Sequence, residues 1–307
     1  MTRRVAVVVP ARDEAGRIVA CLERLTALAV DERIQRLTLL VLANNCRDDT
    51  VRRAREFGEG RQISIVVQAV TLESEKANVG WARRLAFDAG AAFLAEPDDL
   101  LLCTDADTLV ASDWLLKTLD HIDAGFDAVA GLARLDPREL RKLDPTSRKR
   151  LAAIRRYESA LNYLKSLLPA SEPTPRHFYE GGASLALTLG AYREIGGAPT
   201  PQVGEDKALC DALRAKGRRI RHATDVRVLT SCRFDGRAPE GAADTLARWG
   251  VQGDEDSLWG VEPLAVALGA PATNHEPMTL ARLPGETEQA RRLVRVARNR
   301  YAPAEAG

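Results

Sequence analysis

The sequence predicts an α/β fold, a mostly parallel, doubly wound sheet flanked by helices. Three observations predict it. Strand-sized apolar runs alternate with stretches of helical periodicity through the first third of the chain. Polar clusters follow the first, second and fourth of those runs, where parallel sheets place ligands. The longest apolar runs, such as Val5 to Val9 and Leu37 to Ala43, have the length of strands and fall far short of the ~20 residues of a membrane helix.

In chain order, the pattern predicts a strand over 4–9, a helix over 14–28, a strand over 37–43, a helix over 49–57, a strand over 63–68, a helix over 78–94 and a strand over 99–104. In the first helix Ile18, Leu22, Leu25 and Ala29 recur at helical steps and form one apolar face for the sheet. Beyond residue 110 the regularity loosens. A helix over 113–124 and a strand over 127–134 precede a basic helical stretch, 138–168, striped by Leu151, Ile154, Leu161, Leu164 and Leu168. A loop is expected over 169–175, which carries three prolines. A strand over 184–189, a helix over 206–216 and two short strands near 219–222 and 226–230 follow, and the remainder to about 299 reads as helical.

Composition narrows the class. Lys plus Arg number 44 against 43 Asp plus Glu, so a net charge of +1 gives no global attraction to nucleic acid. Arg3 and Arg4 are followed by only five apolar residues before Pro10, so no secretory leader is expected. The five cysteines lack a CxxC pair and read as reduced thiols. A soluble, cytoplasmic protein without a transmembrane segment is expected.

The most informative segment is Leu100-Leu101-Leu102-Cys103-Thr104-Asp105-Ala106-Asp107, an apolar run that ends in two carboxylates one residue apart. Alternate strand residues share a face, so the pair can converge on one point. Two like charges held close call for an opposite charge, and Mg²⁺ or Mn²⁺ with hard oxygen ligands supplies one. Such ions fill their remaining positions with water and phosphate oxygens, which points to a phosphorylated ligand. The plainer alternative is a pair of solvated carboxylates in a turn, with Asp107 capping the next helix. A Rossmann dinucleotide loop is excluded, because no glycine occurs after the first strand before Gly16.

Six segments in order resemble the family-2 glycosyltransferases of the GT-A fold. They are Val7-Val8-Val9-Pro10-Ala11-Arg12-Asp13-Glu14, Asn44-Asn45-Cys46-Arg47-Asp48-Asp49-Thr50, Lys76-Ala77-Asn78-Val79-Gly80 with Arg83, Asp105-Ala106-Asp107, Gly181-Gly182-Ala183-Ser184, and Glu205-Asp206. The resemblance implies one GT-A domain over 1–235, with a nucleotide-binding half (1–110) and an acceptor-binding half (111–235). It leaves 236–307 as a helical C-terminal extension packed on the same domain. It further implies transfer of a sugar, with inversion, from a nucleoside-diphosphate sugar to an acceptor hydroxyl, with Mn²⁺ or Mg²⁺ as cofactor. Pro10, Ala11, Glu14 and Asn44 would line the nucleoside pocket. Lys76, Gly80 and Arg83 would approach base or diphosphate, and Asp105, Ala106 and Asp107 would meet the donor. Asp105 and Asp107 would hold the metal, Asp107 as the direct ligand. Gly181, Gly182 and Glu205 would face the acceptor, and Asp206 would be the general base.

Each assignment has a plainer counterpart. Lys76 and Arg83 could be a solvated helix face, Glu205-Asp206 a helix cap, and Gly181-Gly182 an ordinary turn. Trp249 and Trp259 could stack on a sugar but fit core packing better. Arg148, Lys149, Arg150, Arg155 and Arg156 could clamp an anion, and Arg291, Arg292, Arg295 and Arg298 leave peripheral membrane contact open, although solvated helix faces account for both sets. Two departures from the family stand out. Asn44-Asn45 replaces its usual acidic pair, so uracil is not implied. The late metal-binding His is missing, since the stretch reads Val228-Leu229-Thr230-Ser231-Cys232-Arg233, and His222 lies earlier on a strand.

Two rivals remain. Asp105-Ala106-Asp107-Thr108 also fits the nucleophile motif of haloacid dehalogenase-type phosphatases, with Asp105 as nucleophile. In that family, however, the motif follows the first strand, whereas here three strand-helix units come first. The other rival is a non-catalytic nucleotide-sugar-binding protein, against which the joint presence of Asp105, Asp107 and Asp206 weighs.

Overall fold

The computed structural model describes residues 2–167, 172–234, 236, 242–251, 253–258 and 260–301. These fall into two compact units, one of residues 1–136 with 179–231 and one of 137–178 with 232–307. The segment 137–178, counted with the α/β domain in the sequence, thus groups with the C-terminal part of the chain.

The first unit contains β1 (Arg3–Ala11), α1 (Ile18–Thr26), β2 (Ile34–Asn44), α2 (Thr50–Gly58), β3 (Ser64–Val70), α3 (Val79–Ala91), β4 (Leu100–Cys103), β5 (Thr108–Val110), α4 (Trp114–Asp123) and β6 (Ala128–Leu135). The second unit contains α5 (Pro137–Leu140) and α6 (Pro145–Ser166), after which the chain returns to the first with β7 (Leu185–Thr188), α7 (Leu189–Glu194), α8 (Glu205–Ala215) and β8 (Ile220–Thr230). The second unit closes with α9 (Ala242–Val251), α10 (Leu264–Ala267) and α11 (Leu283–Tyr301).

One eight-stranded sheet runs in the order β3-β2-β1-β4-β7-β6-β8-β5. Strands β1 to β4 pair in parallel, while β7 is antiparallel to both β4 and β6, and β5 is antiparallel to β8. Helices cover both faces, and the side-chain alternation of the strands divides the core accordingly. Val5, Val7, Val9, Leu39, Val41, Leu100 and Leu102 pack with α1 and α4. Ala6, Val8, Leu40, Leu42, Leu101 and Cys103 pack with α3, α7 and α8.

Several boundaries differ from the expected ones for local reasons. The first helix covers only Ile18–Thr26; Ala29 is exposed and its N–H bonds to the Ser112 carbonyl, while Leu28 fills the core instead. The long basic stretch is two helices, because Asp144 caps α6 through the Thr146 and Ser147 N–H groups and Pro145 occupies its first turn. The two short strands near 219–230 are one strand, β8, whose pairing with β6 jumps from Gly131↔Ala223 to Leu132↔Arg227. Gly131 sits at that bulge, where a Cβ would lie 2.1 Å from Ser184 Oγ and 2.8 Å from the Val226 carbonyl oxygen. The short elements β5 and α7 have no expected counterpart. Much of the C-terminal part expected as helix is irregular between α9, α10 and α11. Of the expected loop 169–175, residues 169–171 lie outside the described residues, as do Leu168 and Trp259.

The second unit is organised on α6, whose buried face is Leu151, Ile154, Tyr157, Leu161 and Leu164. The Tyr157 hydroxyl donates to the Glu262 carbonyl at 2.6 Å. Trp249 of α9 is buried, as core packing requires. Among the described residues no helix is long and apolar enough to cross a membrane.

Leu101 is fully buried in the central strand. The L101A substitution is expected to cost about 2–5 kcal/mol, read as a lowered urea midpoint by far-UV circular dichroism.

Candidate functional site

The carboxyl ends of β2, β1 and β4 lie side by side in the sheet, so the loops that follow them are neighbours. Hydrogen bonds join the first two. The Glu14 N–H donates to Thr50 Oγ1 (2.7 Å), the Ala15 N–H to Asp48 (2.9 Å) and the Arg47 N–H to Asp13 (2.7 Å). Asp13 and Asn45 both have left-handed backbones, with φ of 52° and 51°, a conformation that short polar side chains tolerate best. Asn45 is also locked to the loop after β3, accepting from the Leu72 N–H and donating to its carbonyl at 3.1 and 2.9 Å. Arg12 reaches the Ala77 carbonyl at 3.4 Å, which brings in the segment before α3.

Pro10 is half-buried, and Ala11, Glu14 and Asn44 are buried around this junction. Asp105 and Asp107 are half-exposed while Ala106 between them is 3 % exposed and packs in the core, so the strand alternation expected of the pair persists into the turn. Both aspartates, with Glu14, sense the Cys21 thiol, whose pKa is pushed up first by burial and then by Asp107, Asp105 and Glu14.

Arg83 occupies the centre. It is 4 % exposed, so it is not a solvated helix residue. Its guanidinium bonds Glu205 at 3.0 Å, Asp105 at 3.4 Å and the Cys103 sulfur at 3.0 Å. Burial opposes its charge, but the carboxylates of Asp105, Glu205 and Asp206 hold Arg83 firmly protonated. Burial raises the Glu205 carboxyl above the ordinary glutamate value although Arg83 pulls it down. The Cys103 thiol is pushed up to about 12, chiefly by burial, and stays neutral.

The same junction explains Gly182. A Cβ there would lie 1.9 Å from the Arg83 guanidinium carbon, so only glycine lets the two approach. The Gly182 N–H donates to Asp206 Oδ2 at 3.0 Å, and the Lys207 N–H donates to Oδ1 at 2.8 Å. Thr104, just before the aspartate pair, donates its hydroxyl to the Ala183 carbonyl at 2.9 Å. The segment Gly181–Ala183 is thereby tied to both the aspartate loop and the start of α8. Glu205 and Asp206 are adjacent yet diverge, Glu205 buried on Arg83 and Asp206 half-exposed beside Gly182.

Lys76 is exposed in a short turn of 3₁₀ helix, its ammonium 5.0 Å from the Trp81 ring centre. Gly80 is buried in the first turn of α3, where a Cβ would sit 2.4 Å from the Pro201 carbonyl oxygen. His222 on β8 bonds Glu180 at 3.0 Å, and Arg214 pairs with the same carboxylate. No sequence spacing pointed to that Glu180 cluster, nor to Arg83 as a junction, because the partners are far apart in the chain.

Among the described residues the one cluster of three side chains close enough to share a metal is Asp13, Cys46 and Asp48. Its carboxylates already accept backbone N–H bonds from Arg47, Ala15 and Thr50 that shape the loops. The pair Asp105 and Asp107 offers two hard oxygen donors in a half-exposed setting, which suits Mg²⁺ or Mn²⁺ with further oxygens drawn from a ligand.

Comparison with known proteins fits this geometry. A family model described as glycosyltransferase like family 2 matches residues 3–251. A mannosyltransferase from Pyrobaculum calidifontis, solved with GDP-Man and Mn²⁺, superposes with a TM-score of 0.54 at 19% identity, covering 98% of this chain and 88% of that one. TarS residues 1–349 from S. aureus, solved with UDP-GlcNAc, superposes with a TM-score of 0.52 at 14% identity, covering 100% and 76%. No curated protein matches in sequence.

The Arg83→Gln substitution leaves Glu205 buried without its cation and is expected to cost about 3–5 kcal/mol. In urea denaturation the R83Q/E205Q double variant should lose less than the sum of the two single variants; strict additivity would show that the pair is not coupled.

Proposed function

The chain belongs to glycosyltransferase like family 2, and on that premise we propose that it transfers a sugar from a nucleoside-diphosphate sugar to an acceptor hydroxyl, with Mn²⁺ or Mg²⁺, by direct displacement with inversion. The observation that carries this reading is the Arg83 junction. One buried cation binds Asp105, on the donor side, and Glu205, whose neighbour Asp206 is the proposed base.

The roles follow from the placement of each group. Pro10, Ala11, Glu14 and Asn44 border the nucleoside, with Asn45 held by Leu72 to fix the loop. The neighbours' GDP and UDP donors differ in base, and the asparagines of this chain read neither by charge. Lys76, exposed ahead of the α3 N-terminus, contributes positive charge to the diphosphate, and the free N–H groups around Gly80 favour the same anion. Asp105 and Asp107 would hold the metal, Asp107 directly, while Arg83 fixes Asp105 from beneath. When bound, the ion supplies positive charge against the charge that grows on the leaving diphosphate.

Asp206 acts on the other substrate. Backbone N–H groups of Gly182 and Lys207 hold its two oxygens, so the carboxylate is oriented. It takes the proton of the acceptor hydroxyl as that oxygen attacks the anomeric carbon and the bond from that carbon to the diphosphate breaks. Gly181 and Gly182 form the adjoining wall of the acceptor site, with Glu205 anchoring the start of α8. The five free cysteines suit a reducing, cytoplasmic setting.

Isothermal titration with GDP, UDP and the other nucleoside diphosphates tests the donor site. At least one should bind more tightly with Mn²⁺ than in EDTA, and D105N/D107N should abolish the difference; equal binding in both conditions removes the metal from the scheme. The D206N variant should keep nucleotide affinity while kcat falls by about 10²–10⁴-fold. An unchanged kcat would exclude Asp206 as the base.

A further inference from the structure

Within the second unit, α6 and α11 line an open, solvent-facing pocket of about 550 Å³. Arg155 and Arg156 of α6 and Arg291 of α11 line it with Ser159 and Tyr163, and Ala152, Ala160 and Val294 complete it as an apolar wall. The sequence placed these arginines in two separate basic stretches; the fold brings them to one cavity.

Among the described residues, the arginines of this pocket lack the carboxylate partners that several others of the unit have. Elsewhere in the unit Arg150 bonds the Gly250 carbonyl and Asp254, Arg282 pairs with Glu286, and Arg295 pairs with Glu288. Among the described residues no carboxylate forms an ion pair with Arg155, Arg156 or Arg291. Glu288 senses Arg291 at longer range, but its carboxylate is taken by Arg295 at 2.8 Å. Arg155 Nε is in addition a buried donor with no hydrogen-bond partner. Three cations gathered on one cavity repel one another, and a buried N–H without an acceptor costs free energy. An oxyanion answers both.

We propose that this pocket binds the phosphate of a phosphate ester whose organic part is apolar. Guanidinium forks match the oxygens of a phosphate better than they match a halide or a single carbonyl. The apolar wall favours an ester with a hydrocarbon part over a fully hydrated polyanion. A lipid headgroup in a bilayer and a soluble alkyl phosphate share this chemistry. The inference does not depend on the donor-site reading.

The full-length protein is titrated in EDTA, which separates this site from metal-dependent nucleotide binding, with two probes. One is n-octyl phosphate by isothermal titration. The other is vesicles of phosphatidylcholine with phosphatidylglycerol, against phosphatidylcholine alone, by co-sedimentation. At least one probe should bind, and R155Q/R291Q should weaken it by about tenfold or more. K149Q/R292Q removes the same charge from the same two helices outside the pocket and should bind as the unaltered protein does. Octyl phosphate alone binding assigns a soluble ligand, and the anionic vesicles alone a membrane lipid. Should R155Q/R291Q fail to fold, the exposed Arg156→Gln reads the same loss. Failure of both probes, or equal weakening by K149Q/R292Q, overturns the proposal.

Discussion

The site depends on a charge buried beneath it. Arg83 gives up nearly all contact with water, a penalty of several kcal/mol for an isolated ion, and recovers it from Glu205, Asp105 and the Cys103 sulfur. Arg83 itself stands on α3, and its partners come from the start of α8, the end of β4 and the turn after it. A single guanidinium therefore ties three elements together. Its planar fork is suited to this, because its several N–H groups point in set directions to different acceptors. A lysine would bring one flexible point charge and could not hold the three together.

Much of the α/β order was legible because buried strands and amphipathic helices leave periodic traces. Leu39 to Ala43 and Leu100 to Cys103 are apolar without interruption since both sheet faces are covered. The traces fail where a residue's role is decided by a partner far along the chain. The bulge in β8 interrupts its alternation and mimics two strands, and nothing near 224–226 reveals that β6 accommodates it through Gly131. The three-residue β5 is too short to carry any period, and its existence rests on pairing with β8. The grouping of 137–178 with the C-terminal part likewise arises from helix packing between α6 and both α9 and α11, which sequence spacing cannot express.

Within the site, residue type and location were legible while function within the cluster was not. Asp105 and Asp107 were readable because they end an apolar strand and alternate around Ala106. Arg83 was readable only as a cation near an anion-binding helix start; its burial comes from residues separated from it by up to 122 positions. Gly182 illustrates the same limit. Its glycine identity suggested an approach by substrate, whereas the close neighbour in the structure is the Arg83 guanidinium.

Glu205 and Asp206 show how one dipeptide can serve two ends. Successive helix residues point about 100° apart, so at the start of α8 they cannot face the same way. Gly204, with φ of 76°, turns the chain into the helix, and Glu205 swings inward to Arg83 while Asp206 stays at the surface of the site beside Gly182. The inward residue is held by an ion pair that is costly to break, and the helix start is held with it. The outward residue inherits that fixed position and keeps its carboxylate half-exposed beside Gly182. An acidic pair at a helix start thus need not act as one unit: the first member is bound inward to a buried cation, and the second is left at the surface in a position the first has fixed.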